Sequence, residues 1–493
     1  MLESAEVGHR IDKRQYNREE PRLRESLVLA QFDLAAKQRG PLLLIIAGVI
    51  AAGRHETANQ LTTWMDPRHI GVAAFKDPAP EEAVRPPAWR SWRNLPPRGR
   101  IGIFMGGWYA DLIAARCAGN MEDAEFDDRL LRIRQHEEML AAEGVVLLKY
   151  WIHLSKAAQK QRIAEIESDP DERWRITGED KKAMRAYNKG RPVWEHVLST
   201  TSLGIAPWYV VEGTDERYRD LTIGKLTLEA LRKAVSLKHA PVASDTAAPA
   251  PAVIGNVEVI RRLDLSHKVA KRTYEDELPR YEGRLFNLVR HKRFRHHALV
   301  LGFEGLDAAG KGGAIRRVTG ALDAGQYVVV PIAAPNDEER AHPYLWRFWQ
   351  HVPACGGITI FDRTWYGRVL VERIEGLCSE SDWMRAYDEI NQFERQLTEF
   401  GIVLCKFWLQ ISKAEQLRRF RAREKTAFKR FKITREDWHN RSRWDAYEQA
   451  VADMVDRTST ESVPWSLIEA EDKRYARVKI LQAICERLEE ALD

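Results

Sequence analysis

Ala298-Leu-Val-Leu-Gly-Phe-Glu304-Gly305-Leu-Asp307-Ala308-Ala309-Gly310-Lys311-Gly312-Gly313-Ala-Ile-Arg-Arg-Val318 runs from an apolar stretch, through a glycine-rich turn, into residues that suit a helix. A strand, a Gly-x4-Gly-Lys turn and a helix in that order predict a phosphate-binding loop. Glycines let backbone N–H groups converge on phosphate oxygens, the helix N-terminus adds its positive end, and Lys311 adds a full charge. On this basis Gly305, Ala308, Ala309, Gly310, Gly312 and Gly313 are candidate phosphate-binding positions. One departure from the usual pattern is informative. Where nucleotide triphosphatases carry Ser or Thr after the lysine to hold Mg²⁺, this chain has Gly312. Asp307, inside the loop, offers a hard oxygen instead, which suits Mg²⁺.

The same architecture occurs twice. Gly144-Val-Val-Leu-Leu-Lys-Tyr-Trp-Ile-His-Leu-Ser-Lys156 answers Gly401-Ile-Val-Leu-Cys-Lys-Phe-Trp-Leu-Gln-Ile-Ser-Lys413 at a spacing of 257 residues. That spacing also joins Gly53 to Gly310, Trp108-Tyr109 to Trp365-Tyr366, Pro207-Trp208 to Pro464-Trp465 and Tyr218 to Tyr475. A constant offset over most of the chain predicts one domain copied in tandem. Between the copies, Ala240-Pro-Val-Ala-Ser-Asp-Thr-Ala-Ala-Pro-Ala-Pro-Ala252 has the composition of a linker. The expected organisation is therefore a first copy over 1–237, a linker over 238–254 and a second copy over 255–493.

In the second copy His297–Phe303, Tyr327–Ile332, Gly357–Phe361, Ile402–Leu409 and Trp465–Ile468 read as strands separated by longer amphipathic segments. The alternation predicts an α/β fold, a parallel sheet sandwiched by helices in each copy, with a helical lid. A chain of 493 residues fits two such domains. With 30 % charged residues, 44 % hydrophobic residues and a net charge of +5, the composition is that of a soluble globular protein and does not announce nucleic acid as a partner. The longest apolar run, Pro41 to Gly53, is too short to span a bilayer. Five scattered cysteines without a Cys-x-x-Cys pair argue against zinc or a disulfide framework. No signal peptide is readable, so a cytoplasmic location is expected.

Three further clusters carry chemistry. Asp362 follows the strand Gly357-Ile-Thr-Ile-Phe361, where a Walker-B aspartate sits, so Asp307 and Asp362 are expected to meet at the carboxyl edge of the sheet as metal ligands. Arg363 and Arg368 follow, with Glu372 beyond, and arginines there can clamp phosphates through paired hydrogen bonds. The stretch Glu415 to Lys432, with Arg419, Arg423 and Lys432, is basic with apolar residues interleaved and suits a lid over a polyanion. Arg441-Ser-Arg443 extends the same positive surface.

Together these motifs resemble the family-2 polyphosphate kinases, P-loop enzymes that move phosphoryl groups between inorganic polyphosphate and nucleotides. The carriers are Glu304 to Gly313, Phe361-Asp-Arg-Thr-Trp-Tyr-Gly-Arg368 with Val371-Glu-Arg373, and Pro464-Trp465. The resemblance covers Leu265 to about Leu488 closely and the first copy loosely. A tandem chain with Ala333-Ala-Pro-Asn-Asp-Glu-Glu-Arg-Ala-His-Pro-Tyr-Leu-Trp-Arg347 is similar to the class II members, which make ADP from AMP. The resemblance implies that Asp307 and Asp362 organise Mg²⁺, and that Lys311 and the loop amides hold phosphate. It also implies that Arg363 and Arg368 bind the nucleotide or the transferring phosphates, that Glu372 meets the nucleotide, and that Arg419, Arg423 and Lys432 belong to the lid and the polyphosphate channel. Gly367 stands where other classes often carry Asn, which leaves nucleotide choice open. So does the possibility of nucleoside diphosphates as acceptors, or of the reverse reaction. Neither nucleic acid nor a membrane is expected as a partner, and a homo-oligomer stays open.

In the first copy, Lys311 becomes Arg54, Asp307 becomes Ile50, Asp362 becomes Met105 and Arg363 becomes Gly106, while the loop glycines Gly48 and Gly53 are kept. In the lid Arg423 becomes Ile166, although Arg162 and Arg175 answer Arg419 and Lys432. That copy is expected to be catalytically silent. Two rivals remain at this point: an ATP-dependent small-molecule kinase, and a polyanion- or nucleic-acid-binding protein without turnover.

Overall fold

Leu42–Gly48 (β1), fully buried but for its last residue, is the central strand of the first copy. In the computed structural model, which describes all residues except Lys76, 238–256, 428–430 and Lys432, it pairs in parallel on both sides. The other strands are β2 (Ile70–Ala74), β3 (Ile101–Met105), β4 (Val146–His153) and β5 (Trp208–Glu212), in the sheet order β2-β3-β1-β4-β5. The second copy repeats this with β6 (Ala298–Gly305), β7 (Tyr327–Pro331), β8 (Ile358–Asp362), β9 (Ile402–Gln410) and β10 (Trp465–Glu469), in the order β10-β9-β6-β8-β7. The five apolar runs expected there are strands, each within one residue of its expected limits except the first, which runs on to Gly305. The linker residues 238–254 and Lys432 lie outside the described residues.

The inner strands β1, β3, β4, β6, β8 and β9 read as unbroken apolar runs because both faces are covered, whereas the edge strands β2 and β7 are largely exposed. Side chains alternate across the sheet, so Leu299, Leu301 and Phe303 with Val403, Cys405 and Phe407 face one layer. There they join Leu285, Val318, Ile480, Leu481 and Ile484 from the helices Lys271–Leu288, Lys311–Gly320 and Lys473–Leu492. Lys406, pointing the other way, reaches the helix Glu380–Glu399. Its ammonium, almost wholly buried, donates to Glu394 at 2.8 Å, to the Tyr366 hydroxyl at 3.0 Å and to the Thr458 carbonyl at 2.6 Å. Tyr366 and Trp365 both donate to the same Glu394 oxygen, at 2.6 and 3.0 Å. The first copy builds the same knot. Lys149 donates to Glu137 at 2.5 Å, to Tyr109 at 3.1 Å and to the Thr201 carbonyl at 2.7 Å. A buried charge must be paired and hydrogen-bonded to be tolerated, and this arrangement belongs to the scaffold because both copies keep it.

The compact units are not two continuous halves of the chain. One comprises Met1–Pro78, Arg90–Ser244 and Asn336–Trp346; the other comprises Ala79–Trp89, Asp245–Pro335 and Arg347–Asp493. Within the first unit, the Arg98 N–H donates to the Ala341 carbonyl at 2.8 Å; within the second, the Cys355 N–H donates to the Val84 carbonyl at 2.9 Å. Among the described residues no helix is long and apolar enough to cross a membrane.

Candidate active site

β6 ends at Gly305, whose φ of +149° and close approach to β9 both demand glycine, since a Cβ there would lie 2.6 Å from the Leu409 carbonyl oxygen. The chain then turns through Ala308 (φ +62°) and Gly310 (φ +120°) into the helix Lys311–Gly320. In the first copy Gly48, Ala51 and Gly53 also have positive φ, at +146°, +61° and +99°. The cradle is thus inherited by both copies, and the difference between them lies in side chains. Lys311 stands at the first position of its helix, with its ammonium 2.5 Å from the Gly305 carbonyl.

A cavity of about 670 Å³ opens in front of this loop. It is lined by the loop from Leu306 to Gly313, by Asp362 and Arg363 at the end of β8, and by Arg418, Arg419 and Arg423 of the helix Lys413–Glu424. Asp307, Lys311, Asp362, Arg363 and Arg423, expected to share a site, do line it together. So do Arg316, Lys473 and Arg477, which sequence reasoning missed. Lys473 and Arg477 lie one turn apart at the start of the last helix, a long way along the chain from the loop, and only folding reveals their destination. The lining holds eight cationic side chains against three carboxylates, the excess a multiply charged anion requires. Burial lowers the Lys473 ammonium below its ordinary value, and the Arg419, Arg477 and Arg418 guanidiniums push the same way. A bound polyanion would relieve that crowding.

Asp307 is held by the Asn440 side-chain amide, which donates to Oδ2 at 2.9 Å, and by Arg363, whose Nη2 lies 3.6 Å from Oδ1. Burial weakens the Arg363 guanidinium's hold on its proton, but Asp307, Glu304, Glu436 and Asp362 more than offset this and keep the group above its ordinary value. A second, smaller hollow of about 80 Å³ lies between the loop and the helices Arg435–Ser442 and Trp444–Thr458. Glu304, Asp307, Arg363, Gly367, Leu370, Trp444 and Tyr447 are among its walls.

Three expected residues sit differently. Arg368 and Glu372 line neither space, although Gly367 and Leu370 beside and between them line the second; they pair with each other, Nε to carboxylate at 2.7 Å. Arg419 does line the cavity, but its donors are committed. They reach the Ala308 and Ala309 carbonyls at 2.9 and 2.8 Å, the Ala470 and Glu471 carbonyls at 2.7 and 2.9 Å, and Glu415 at 2.5 Å. In this arrangement Arg419 braces the loop from behind. Arg441 and Arg443 likewise hold the Lys413 and Ile374 carbonyls, both at 2.6 Å, and tie the lid helices to the body of the domain.

The sequence profile described as Polyphosphate kinase 2 (PPK2) matches residues 10–239 and again 268–492. The chain belongs to the polyphosphate kinase 2 family. Among its relatives, this family member is 52 % identical over 491 residues to a polyphosphate:AMP phosphotransferase of Pseudomonas aeruginosa, covering 100 % of this chain and 99 % of that one. A polyphosphate:AMP phosphotransferase of Pseudomonas syringae pv. tomato is 50 % identical over the same shares. A crystal structure from Pseudomonas aeruginosa PA01, described as a polyphosphate kinase 2, superposes with a TM-score of 0.90 at 51 % identity, covering 100 % of this chain and 99 % of that one. The tandem fold of this kinase 2 chain is therefore that of a solved relative along its whole length.

Proposed function

We infer that this chain transfers the terminal phosphoryl group of inorganic polyphosphate to AMP, forming ADP. The observation that carries this reading is the end-to-end match, through both copies, to relatives named polyphosphate:AMP phosphotransferases. The strongly cationic cavity in front of the loop supports polyphosphate, whose charge recurs along its length, as the donor.

The chemistry then asks for positioning more than for proton transfer. A phosphate monoester has a second pKa of about 6, so the AMP phosphate is already a nucleophile near neutrality. One of its oxygens attacks the terminal phosphorus in line, a new P–O bond forms, and the bridging P–O bond to the rest of the chain breaks with its electron pair leaving on the shortened polyphosphate. Lys311, the loop amides and Arg363 face the equatorial oxygens, where charge is spread in the transition state. Arg316, Arg418, Arg423, Lys473 and Arg477 hold the remainder of the chain in the cavity. Asp307 and Asp362 are carboxylates sharing a phosphate cavity. Among the described residues no group of three or more His, Cys, Asp or Glu is placed to hold a metal by itself. That donor set fits Mg²⁺, which takes one or two carboxylates and completes its shell with phosphate oxygens and water. When bound, the ion neutralises phosphate charge.

One site per chain follows from the first copy. Lys473, Arg477, Arg418 and Arg316 have Glu216, Asp220, Gln161 and Asn59 as counterparts, so the cationic lining is replaced by acids and amides. Arg219, buried, packs its guanidinium against Gly53 and pairs with Asp220 at 3.0 Å. Arg54→Ala in the full chain is expected to leave the rate of ADP formation within about twofold of the parent, as changes away from the chemistry do; a hundred-fold loss would assign the first copy a direct part.

The deciding assay supplies the full chain with Mg²⁺ and either polyphosphate or ATP as donor, and with AMP, GMP or ADP as acceptor. ADP formed from AMP and polyphosphate, abolished by EDTA and restored by Mg²⁺, is the expected result. Turnover with ATP alone as donor to a small molecule, or polyphosphate binding without turnover, would overturn the reading.

A further inference from the structure

Arg363 is the residue through which β8 delivers a positive charge to the cavity, and its backbone is left-handed, with φ at +66°. A residue with a side chain in that region is strained and persists only where its surroundings over-determine it. Here they do. The Arg363 N–H donates to the Phe303 carbonyl at 3.0 Å. The next residue, Thr364, is buried, and both its N–H and its hydroxyl donate to one oxygen of Glu304, at 2.7 and 2.9 Å. The Thr364 hydroxyl oxygen in turn accepts the Tyr366 N–H at 3.2 Å and starts the turn that follows. Glu304 itself is buried at the end of β6, one residue before the phosphate loop. Burial raises its carboxyl above the ordinary value, while Lys311, the Thr364 hydrogen bonds and Arg363 oppose that rise.

The first copy provides the control. After β3 its backbone makes the same turn, with Gly106 at φ +80° and its N–H on the Ile46 carbonyl at 2.9 Å. Yet Glu304, Arg363 and Thr364 are there Ala47, Gly106 and Gly107. Glycine reaches positive φ without strain, so the turn needs no latch when no side chain has to be carried. The Lys406–Glu394 knot, by contrast, has its twin in Lys149–Glu137. What serves the fold is kept in both copies, and the latch is kept only beside the arginine.

We propose that Glu304 is a positioning residue: by holding Thr364 it fixes Arg363 in the left-handed conformation that points its guanidinium at Asp307 and the phosphate cavity. This rests on Arg363 being part of the working site, as proposed above.

The test is a double-mutant cycle in the full chain, following ADP formation from AMP and polyphosphate, with thermal unfolding recorded for each protein. Glu304→Ala is expected to lower kcat about tenfold in the parent, but less than about twofold in an Arg363→Gly background, where nothing remains to be positioned. Glu304→Gln, whose amide oxygen still accepts from Thr364, is expected to keep most of the activity. If Glu304→Ala multiplies the Arg363→Gly loss by its full factor, or if Glu304→Gln is as impaired as Glu304→Ala, the positioning role is wrong. A merely structural role would lower the unfolding temperature in both backgrounds alike without this non-additivity. Should Glu304→Ala fail to fold, Thr364→Val, which removes the hydroxyl bond to Glu304 together with the acceptor of the Tyr366 N–H, enters the same cycle with the same two outcomes. Failure of the underlying reading looks different: Arg363→Gly would then be as active as the parent.

Discussion

Asp307→Asn and Lys311→Ala are each expected to fold as the parent does and to form ADP at least about a hundred-fold more slowly, the loss typical when one preorganised group facing transition-state charge is removed. The Lys311 ammonium does donate to the Gly305 carbonyl, but most of the loop's shape is set elsewhere. The cradle is drawn by Gly305, Ala308 and Gly310, by the Gln416 amide on the Asp307 carbonyl at 3.1 Å, and by Arg419 on the Ala308 and Ala309 carbonyls. The first copy makes the same cradle with isoleucine and arginine at the two positions. Asp307→Asn keeps the shape and a hydrogen-bond acceptor, so its loss should track the negative charge and deepen as Mg²⁺ is lowered. Lys311→Ala removes the cation from the helix start, and its loss should be little changed by Mg²⁺. Steady-state rates across a Mg²⁺ series, with unfolding temperatures alongside, check both; parent-like rates in either variant would remove that residue from the site.

The second large effect concerns stability. Glu394→Ala should destabilise the chain by about 3–5 kcal/mol, because it leaves the Lys406 charge buried with its carboxylate gone. It also strands the Tyr366 hydroxyl and the Trp365 indole N–H, which donate to that same carboxylate. Replacing both partners, as Glu394→Leu with Lys406→Met, should recover much of the loss, since a buried pair stabilises little over well-packed apolar residues. Urea unfolding of the single and double variants measures this. A single variant within about 1 kcal/mol of the parent would mean that water or a rearranged partner satisfies Lys406.

How much of this was legible in the sequence depends on whether a residue acts where it stands or must be brought from elsewhere. The loop announced itself because glycine spacing and a following lysine are local, and the inner strands of the second sheet because strands buried on both faces are written as continuous apolar runs; the edge strand β7 is as apolar although it is largely exposed. The tandem copy sharpened both, and subtracting one copy from the other marked Asp307, Lys311, Asp362 and Arg363. Arg316, Lys473 and Arg477 escaped because charged residues on helices are ordinarily solvated faces, and nothing local distinguishes these from Arg474 or Arg487. Arg368 and Glu372 stand out for the opposite reason. Four residues apart after a strand, they read as site residues, and in this structure they form an ion pair outside both spaces. The strained backbone of Arg363 left no sequence trace of its own; the trace is at Gly106, where the first copy has dropped the side chain and kept the turn.

The first compact unit takes in Asn336–Trp346, a stretch encoded well inside the second copy. Domains that fold during synthesis ordinarily do so as soon as their own segment clears the ribosome. Here one segment of the unit emerges later than the rest. Until the stretch ending at Trp346 has emerged, the Arg98 N–H lacks its Ala341 carbonyl and the unit is unfinished. The β6 strand, the phosphate loop and the helix after it are by then already made, so the last segment of the first unit is translated only after the phosphate loop of the second copy.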